Sequence, residues 1–298
     1  MRSLFAFLAL FLSSGVSAAD LKYATVAGYG GLPLNVAETG NPAGPPILFL
    51  HGMAMGLQSF QPQFESDLTK DFRIIAFDLR GHGNSGKPWR KEDAQSSEVW
   101  ADDVAAVIAD KHLVKPVIVG WSFGGFVLAD YLRKYGMDGL AGANFVSSFA
   151  GLVPQPPPVG NMSPEELKRR AIMQASGDLA DNLTIVEETT KIFEFPGITP
   201  AYRENIRTLG IMVPAYFRTA MAGRSLDHQD VTPRLTLPVL MTFGSKDIEG
   251  MQAPYAAIRK ALPKAQYSIY EGVGHLPFAQ DSVRFNKELA AFVRSVQK

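Results

Sequence analysis

Short apolar runs alternate with helical patterns along most of the chain, and this alternation indicates the class of fold. Six runs have the length and the apolar content of buried strands. They span residues 47–50, 73–77, 117–120, 144–147, 238–243 and 266–270. Because strands that alternate with helices form parallel sheets covered on both faces, we expect an α/β protein with a mostly parallel sheet. Two earlier runs, 21–27 and 32–38, flank the sequence GYGG and predict an antiparallel hairpin at one edge.

Two segments repeat apolar residues at the spacing of a helix that lies against a sheet. One segment follows Ser96, and the other ends the chain. Their apolar faces predict amphipathic helices that cover the sheet. The first face consists of Trp100, Val104, Val107 and Ile108, and the second of Phe285, Leu289, Phe292, Val293 and Val296.

The regular alternation stops after residue 150. The sequence GLVPQPPPVGNMSPEE is a proline-rich connection, and its Ser163 and Glu166 have the spacing of a helix N-terminus. From there to about residue 225 the pattern is helical, and the strand pattern resumes only near residue 237. A separate helical domain is one interpretation. The return of the chain to the same sheet favours another, in which residues 152–232 form a helical cap inserted into a core of residues 20–151 and 233–298.

The first twenty residues, MRSLFAFLALFLSSGVSAAD, have the three parts of a secretory signal peptide. Arg2 supplies the charged start, residues 4–12 the apolar run, and residues 17–19 the cleavage site with small side chains. The apolar run is too short to span a bilayer as a helix of the mature protein. A transient anchor and a core strand are the alternative interpretations. We therefore expect residues 1–19 to be removed and the protein to be exported, either secreted or periplasmic.

Composition argues against several classes of function. The 29 Lys and Arg residues balance the 29 Asp and Glu residues, whereas nucleic-acid-binding proteins carry a basic excess. The chain has no cysteine, which excludes disulfides, thiolate metal sites and a lipid-bearing cysteine. We expect the partner to be a small-molecule substrate, and we expect neither nucleic-acid binding nor a stable membrane span.

The sequence VIVGWSFGGFVLADYL, residues 117–132, begins as a strand and ends as a helix. A direct passage from strand to helix through G-x-S-x-G requires a tight turn, for which Gly120 and Gly124 leave room. The turn raises Ser122 above the sheet edge, and the helix that starts near Phe123 directs its N-terminus to the same place. Trp121 is expected to pack beneath the turn. Glycine-rich junctions of this kind also occur in nucleotide-binding proteins, so the pentapeptide alone is only moderately specific.

Two later strand ends supply the partners that a serine nucleophile needs, namely a base and a group that orients it. Asp247 follows the strand in VLMTFGSKDIEG, and His275 follows the last strand in YSIYEGVGHLPF. The order Ser122, Asp247, His275, with each residue just past a strand, predicts a catalytic triad. Glu249 is the alternative acid. The purely structural interpretations are that Asp247 caps a helix and that His275 is a packed loop histidine.

The segment ILFLHGMAMG, at the end of the first parallel strand, predicts the donors for a developing oxyanion. Such donors are typically backbone N–H groups. His51 and Gly52 turn the chain, so that the amide of Met53 points into the site and is paired with the amide of Phe123. We expect His51 to brace this loop, because His275 fits the position of the base better.

These segments together resemble the serine-nucleophile, capped and esterase-like branch of the α/β-hydrolase superfamily. HGMAMG, DLRGHGNSGKP, GWSFGG, FGSKD and GVGHLPF follow one another over essentially the whole mature chain. The resemblance implies an eight-stranded, mostly parallel sheet with helices on both faces and a helical cap after the sixth strand. It implies neither a metal nor an organic cofactor. It also implies that residues 78–85 form a turn that braces the oxyanion loop.

A serine nucleophile separates this chain from the haloalkane dehalogenases and epoxide hydrolases of the superfamily, which have aspartate at the position of Ser122. Serine favours acyl chemistry. The sequence therefore predicts a hydrolase that cleaves a carboxylic ester, thioester or lactone of a small to medium apolar substrate through an acyl-enzyme. Alternatives with the same residues are a carbon–carbon bond hydrolase of diketone-type metabolites and a perhydrolase or haloperoxidase-like enzyme. A non-catalytic ligand-binding protein is disfavoured, because such proteins commonly lose a triad residue.

The predicted cap is rich in aromatic residues and methionine, which either line a substrate pocket or form the core of the cap. Burial statistics favour the core. His228 lies in the polar sequence SLDHQD and is expected to be solvated. The aromatic and methionine residues are Met173, Phe193, Phe195, Tyr202, Met212, Tyr216, Phe217 and Met221.

Overall fold

The structure is a computed structural model that describes residues 21–155, 163–193, 196–249 and 251–297. The predicted signal peptide, residues 1–19, lies outside the described residues, and export stays a prediction. Phe195 lies outside them too. Within the described part of the chain, no helix combines the length and the apolar character needed to cross a bilayer.

One sheet of eight strands forms the centre of the described residues, in the order β1-β2-β4-β3-β5-β6-β7-β8. β1 and β2 form an antiparallel hairpin at one edge, β2 also pairs antiparallel with β4, and all other neighbours are parallel. The strands are β1 (Lys22–Ala27), β2 (Pro33–Gly40), β3 (Pro46–Leu50), β4 (Arg73–Phe77), β5 (Val117–Trp121), β6 (Gly142–Val146), β7 (Val239–Gly244) and β8 (Gln266–Tyr270).

Helices follow most of the strands. In chain order they are α1 (Gln61–Phe64), α2 (Leu68–Asp71), α3 (Lys91–Gln95), α4 (Ser97–Asp110), α5 (Phe123–Tyr135), α6 (Pro164–Ala175), α7 (Leu179–Thr190), α8 (Pro200–Ile211), α9 (Ala215–Met221), α10 (Ser245–Glu249), α11 (Gln252–Ala261), α12 (Pro277–Gln280) and α13 (Ser282–Val296). Short 3-10 helices cover Tyr29–Gly31, Leu57–Phe60, Lys191–Phe193 and Thr232–Arg234.

The prediction of a mostly parallel α/β sheet is confirmed. Each of the eight strand segments predicted from the sequence corresponds to one strand, with ends that differ by two residues at most. The two amphipathic patterns correspond to α4 and α13.

Side chains that alternate along the strands separate into two hydrophobic clusters, one on each face of the sheet. Along β3, Leu48 and Leu50 belong to one cluster, whereas Ile47 and Phe49 belong to the other. Apolar residues of α4, α5 and α11 complete the first cluster, and residues of α1, α12 and α13 complete the second. Burial on both faces explains why the parallel strands are continuous apolar runs in the sequence.

The helices α6 to α9 lie in the chain between β6 and β7, where the sequence predicts an insertion. Ser163 begins α6 in a capping box with Glu166. The hydroxyl of Tyr202 in α8 donates to the carbonyl oxygen of Ser59 at 2.6 Å, which fastens this segment to the chain after β3. The extent of a cap over residues 152–232 stays a prediction.

A buried ion pair joins the loop after β4 to α4. The guanidinium of Arg80 donates to both carboxylate oxygens of Asp103 at 2.7 Å, and the two side chains are 1% and 2% exposed. Asp103 also accepts from the backbone N–H of Tyr29, at the tip of the β1–β2 hairpin. The pair therefore connects three segments through charges that water does not reach.

We expect Asp103→Asn to lower the free energy of unfolding by about 3–5 kcal/mol, because the substitution leaves the Arg80 charge buried without a counterion. Urea unfolding followed by circular dichroism measures the loss. Asp67→Asn is the matched control, since Asp67 pairs with Lys70 through side chains that are 88% and 71% exposed. Its effect should stay below about 1 kcal/mol. Equal losses in the two variants would contradict the prediction.

Candidate active site

The passage from β5 to α5 places Ser122 in a strained backbone conformation. Its φ is 51°, in the left-handed region that non-glycine residues rarely adopt. The N–H of Ser122 donates to the carbonyl oxygen of Val146, at the end of β6, at 2.9 Å. Strain of this kind persists only where the surrounding structure holds it, and it is concentrated at functional sites.

The turn requires glycine at positions 120 and 124, because backbone atoms of neighbouring segments leave no room for a side chain there. A Cβ atom at Gly124 would stand 2.1 Å from the carbonyl oxygen of Leu50, at the end of β3. A Cβ atom at Gly120 would stand 2.6 Å from the carbonyl oxygen of Gly124. A side chain at either position would therefore push the strand and the helix apart.

Asp247 and His275 come together at the carboxyl ends of neighbouring strands. Asp247 is in α10, directly after β7, and His275 is in the loop after β8. Nδ1 of His275 donates to Oδ1 of Asp247 at 2.9 Å. This bond leaves Nε2 as the ring nitrogen with a free lone pair. Each side chain is 23% exposed, and both line one cavity together with Ser122.

The pair shifts the pKa of both residues. Burial alone lowers the pKa of His275, but the attraction and the hydrogen bond of Asp247 outweigh it and raise the pKa above the usual 6.5. Burial alone raises the pKa of Asp247, but the charge and the hydrogen bond of His275 outweigh it and lower the pKa. The two partners therefore stabilise each other as an imidazolium and a carboxylate.

His51 lies beneath the loop after β3 and uses both ring nitrogens there. Nε2 accepts from the backbone N–H of Leu79 at 2.9 Å, and Nδ1 donates to the carbonyl oxygen of Gly52 at 2.8 Å. The side chain is buried, and burial lowers the pKa of His51 to about 4. The imidazole is therefore neutral at pH 7 and joins this loop to the segment after β4.

Asp78 holds the same loop from the other side. Its Oδ1 accepts from the backbone N–H of Leu57, and its Oδ2 accepts from the backbone N–H of Asn84 and from the side-chain amide of Asn35, each at 2.8 Å. One buried carboxylate therefore connects the loop after β3, the turn after β4 and strand β2.

Met53 and Phe123 are the residues whose amides were predicted to bind an oxyanion. Among the described residues, no backbone hydrogen bond uses the N–H of Met53, and the residue is 41% exposed. Phe123 is the first residue of α5, so its N–H has no partner within the helix. The loop lies against the turn, because a Cβ atom at Gly52 would stand 3.3 Å from Cβ of Ser122.

His275 makes contacts with two aromatic residues that the sequence analysis did not predict. The indole N–H of Trp121, which is buried as expected, donates to the carbonyl oxygen of His275 at 2.9 Å. Phe193 stacks on the imidazole with a centroid distance of 6.0 Å and an interplanar angle of 25°. The G-x-S-x-G motif marks the position of Trp121, but no local signal identifies Phe193.

The cavity that contains Ser122, Asp247 and His275 has a volume of about 630 Å³. Glu249, the alternative acid, instead pairs with Lys246 at 2.7 Å and is 60% exposed. Among the described residues, no three His, Asp or Glu side chains are grouped to hold a metal ion. The apolar part of the lining includes Phe126, Phe149, Val153, Leu226, Phe243 and Met251.

The helical segment contributes to the cavity mainly through the loop after α9, with Ser225, Leu226, Asp227 and Gln229. The sequence analysis named eight aromatic and methionine residues as candidates for a pocket lining or for the core of the cap. Among the described residues that line the cavity, none of the eight is found. Four of them are buried, namely Phe193, Tyr202, Phe217 and Met221.

The expectation that His228 is solvated is wrong. Its side chain is fully buried, and Nε2 donates to Asp130 at 2.7 Å. The neighbours Asp227 and Gln229 are exposed, so the polarity of the local sequence describes them and not the histidine.

Comparisons with known proteins agree on the fold. The family model for the alpha/beta hydrolase fold matches residues 45–282. A bifunctional esterase/perhydrolase of Acinetobacter calcoaceticus is 25% identical over 84% of this chain and 92% of its own length. A non-heme chloroperoxidase of Streptomyces lividans is 28% identical over 85% of this chain and 92% of its own. The esterase RhEst1 from Rhodococcus sp. ECU1013 has a TM-score of 0.78 and 29% identity, and the match covers 92% of this chain and 99% of that chain.

We expect Ser122→Gly to have a free energy of unfolding about 1 kcal/mol above that of Ser122→Ala, because glycine adopts a φ of 51° without strain. Both substitutions remove the hydroxyl, so the difference isolates the backbone. Urea unfolding of the two variants under identical conditions measures it. Equal stabilities would show that the turn stores no strain.

Proposed function

Since the chain belongs to the α/β-hydrolase family, we propose that it is a serine esterase that acts through an acyl-enzyme. The observation that carries this proposal is the shared cavity of Ser122 and the hydrogen-bonded pair of His275 and Asp247. The substrate is a carboxylic ester, thioester or lactone with a small to medium apolar acyl group. The apolar lining of the cavity and the esterases among the similar proteins support this class.

In the proposed reaction, Oγ of Ser122 attacks the carbonyl carbon while Nε2 of His275 accepts the hydroxyl proton. Asp247 holds Nδ1–H, which keeps the lone pair on Nε2 and stabilises the imidazolium that forms. The imidazolium then gives its proton to the leaving alcohol as the tetrahedral intermediate collapses. Water, activated by the same nitrogen, releases the acid from Ser122.

The negative charge on the tetrahedral oxygen needs donors that are in place before the reaction. We assign this role to the backbone N–H groups of Met53 and Phe123. The N-terminus of α5 adds the positive end of its helix dipole at the same point. The bonds of His51 and Asp78 keep the Met53 loop in position against the turn.

A second activity follows from the same acyl-enzyme. If hydrogen peroxide replaces water in the second step, the product is a peracid and no further protein group is needed. The similarity to a bifunctional esterase/perhydrolase, 25% identical to this chain, favours this candidate. Peracid formation by the wild type with an ester and peroxide, and its absence in Ser122→Ala, would support it.

We expect Ser122→Ala to lower kcat on p-nitrophenyl esters of graded chain length by at least about 10⁴-fold, because the nucleophile is lost. The variant should also lose covalent labelling by a fluorophosphonate probe. Ser148→Ala is the matched control, because Ser148 lines the same cavity and its variant should still be labelled.

Ester turnover that survives in Ser122→Ala would contradict the proposed nucleophile. Cleavage of a diketone without cleavage of any ester would instead support a carbon–carbon bond hydrolase. A wild-type protein that neither turns over an ester nor reacts with the probe would be a binding protein on a hydrolase scaffold.

We expect kcat/KM for ester cleavage to rise with pH through an inflection above 6.5, because His275 accepts a proton only when it is neutral and Asp247 raises its pKa. Asp247→Asn should move the inflection to lower pH, since burial then acts on the pKa of His275 without the opposing charge. It should also lower the rate at the plateau by about 10⁴-fold. An unchanged inflection in Asp247→Asn would contradict the pairing.

A further inference from the structure

A group of buried ionisable side chains, separate from the residues of the proposed reaction, lies where α5 meets the loop after α9. Asp130 of α5 accepts from the guanidinium of Arg224 and, at 2.7 Å, from Nε2 of His228. The side chain of Arg224 is 1% exposed, and those of Asp130 and His228 are fully buried. We call Asp130, Arg224 and His228 the buried cluster.

The carboxylate of the buried cluster also joins a third element. The hydroxyl of Ser97, the first residue of α4, donates to Oδ1 of Asp130. A buried charge is costly unless it is paired and hydrogen-bonded, so the three elements are held at distances that keep these bonds. A displacement of the loop after α9 would leave the Asp130 carboxylate with unmet hydrogen bonds.

Arg224 places the buried cluster next to the first turn of α5, the helix that follows Ser122. Its guanidinium carbon lies 5.2 Å from the ring centroid of Phe123 and 5.1 Å from that of Trp100. A guanidinium at this distance from aromatic rings is attracted to them. The residue next to Ser122 is therefore in contact with the cluster.

His228 connects the same cluster to the cavity. Its backbone N–H donates to the carbonyl oxygen of Gly151 at 3.0 Å, and its ring lies 6.1 Å from that of Phe126. Gly151 and Phe126 both line the cavity. On either side of His228, the loop supplies further lining residues: Ser225, Leu226, Asp227 and Gln229. We call these four residues, which flank His228, the specificity wall.

On the basis of the proposed function, we propose that the buried cluster positions the specificity wall against α5, and that this wall sets the length of the acyl chain accepted. Leu226 supplies apolar surface along which an extended acyl group is buried. The wall also carries the carboxylate of Asp227 and no Lys or Arg, which favours a neutral acyl chain over an anionic one. The three residues of the cluster are positioning residues, since none of them lines the cavity.

The test compares His228→Leu with the conservative His228→Gln, whose amide nitrogen reaches the position of Nε2. The measurement is kcat and KM on p-nitrophenyl acetate and p-nitrophenyl hexanoate. In His228→Leu we expect the hexanoate-to-acetate ratio of kcat/KM to fall about tenfold, mainly through KM, because the longer chain loses the burial of about two methylenes. His228→Gln should restore most of the ratio.

Asp230→Asn is the matched control, because Asp230 joins the end of the same loop to Arg133 of α5 through an ion pair whose side chains are 52% and 31% exposed. It should leave the ratio within about twofold of the wild type, as expected for an exposed pair. A ratio that is unchanged in His228→Leu, or a loss that is equal for the two esters, would overturn the proposal.

Hydrogen exchange provides a readout that does not require turnover. The amides of His228 and Val231, which donate to the carbonyl oxygens of Gly151 and His228, should exchange at least about tenfold faster in His228→Leu and at the native rate in His228→Gln. Native exchange in His228→Leu would overturn the positioning role, even if the protein cleaves no ester and the proposed function fails. Should His228→Leu not fold, Leu226→Ala tests the wall directly, and an unchanged ratio there would equally overturn the proposal.

Discussion

The candidate site depends on close backbone packing around the turn between β5 and α5. At this turn, no side chain separates the backbone of the turn from the neighbouring strand ends. Gly124 lies against the end of β3, while the N–H of Ser122 bonds to Val146 at the end of β6. The turn is thus held by both strands that neighbour β5. This restraint keeps Ser122 at a positive φ that a free peptide would leave, and it gives the hydroxyl and the start of α5 one fixed relation.

Ionisable side chains in this protein form pairs between elements that are distant in the chain. The exposure of each pair to solvent or to a cavity determines what the pair can do. The pair of Arg80 and Asp103 is closed to water, as are Asp130 and its partners. His275 and Asp247 are bonded in the same manner but remain partly exposed to a cavity. Closed pairs hold segments together, whereas a proton can be exchanged with a substrate only where a substrate can reach the pair.

Local patterns in the sequence were sufficient to predict the strands, the turn at Ser122 and the proximity of Asp247 and His275 at one edge of the sheet. Each of these depends on residues within one turn or one strand, or on the rule that parallel strands end at one edge. The prediction for His228 was wrong because its partner, Asp130, is 98 residues away and its own neighbours are polar. The stacking of Phe193 on His275 was missed for the same reason, since only tertiary packing brings the two rings together.

The hydrogen bond from Trp121 to the carbonyl oxygen of His275 spans 154 residues of sequence, yet it links the residue before Ser122 to the backbone of the histidine. The loop that carries the imidazole is thereby attached to β5, the strand that directly precedes Ser122. Movement of that loop away from β5 would break this hydrogen bond. The position of the imidazole relative to Ser122 is therefore restrained by an interior strand as well as by β8, the edge strand that precedes its loop.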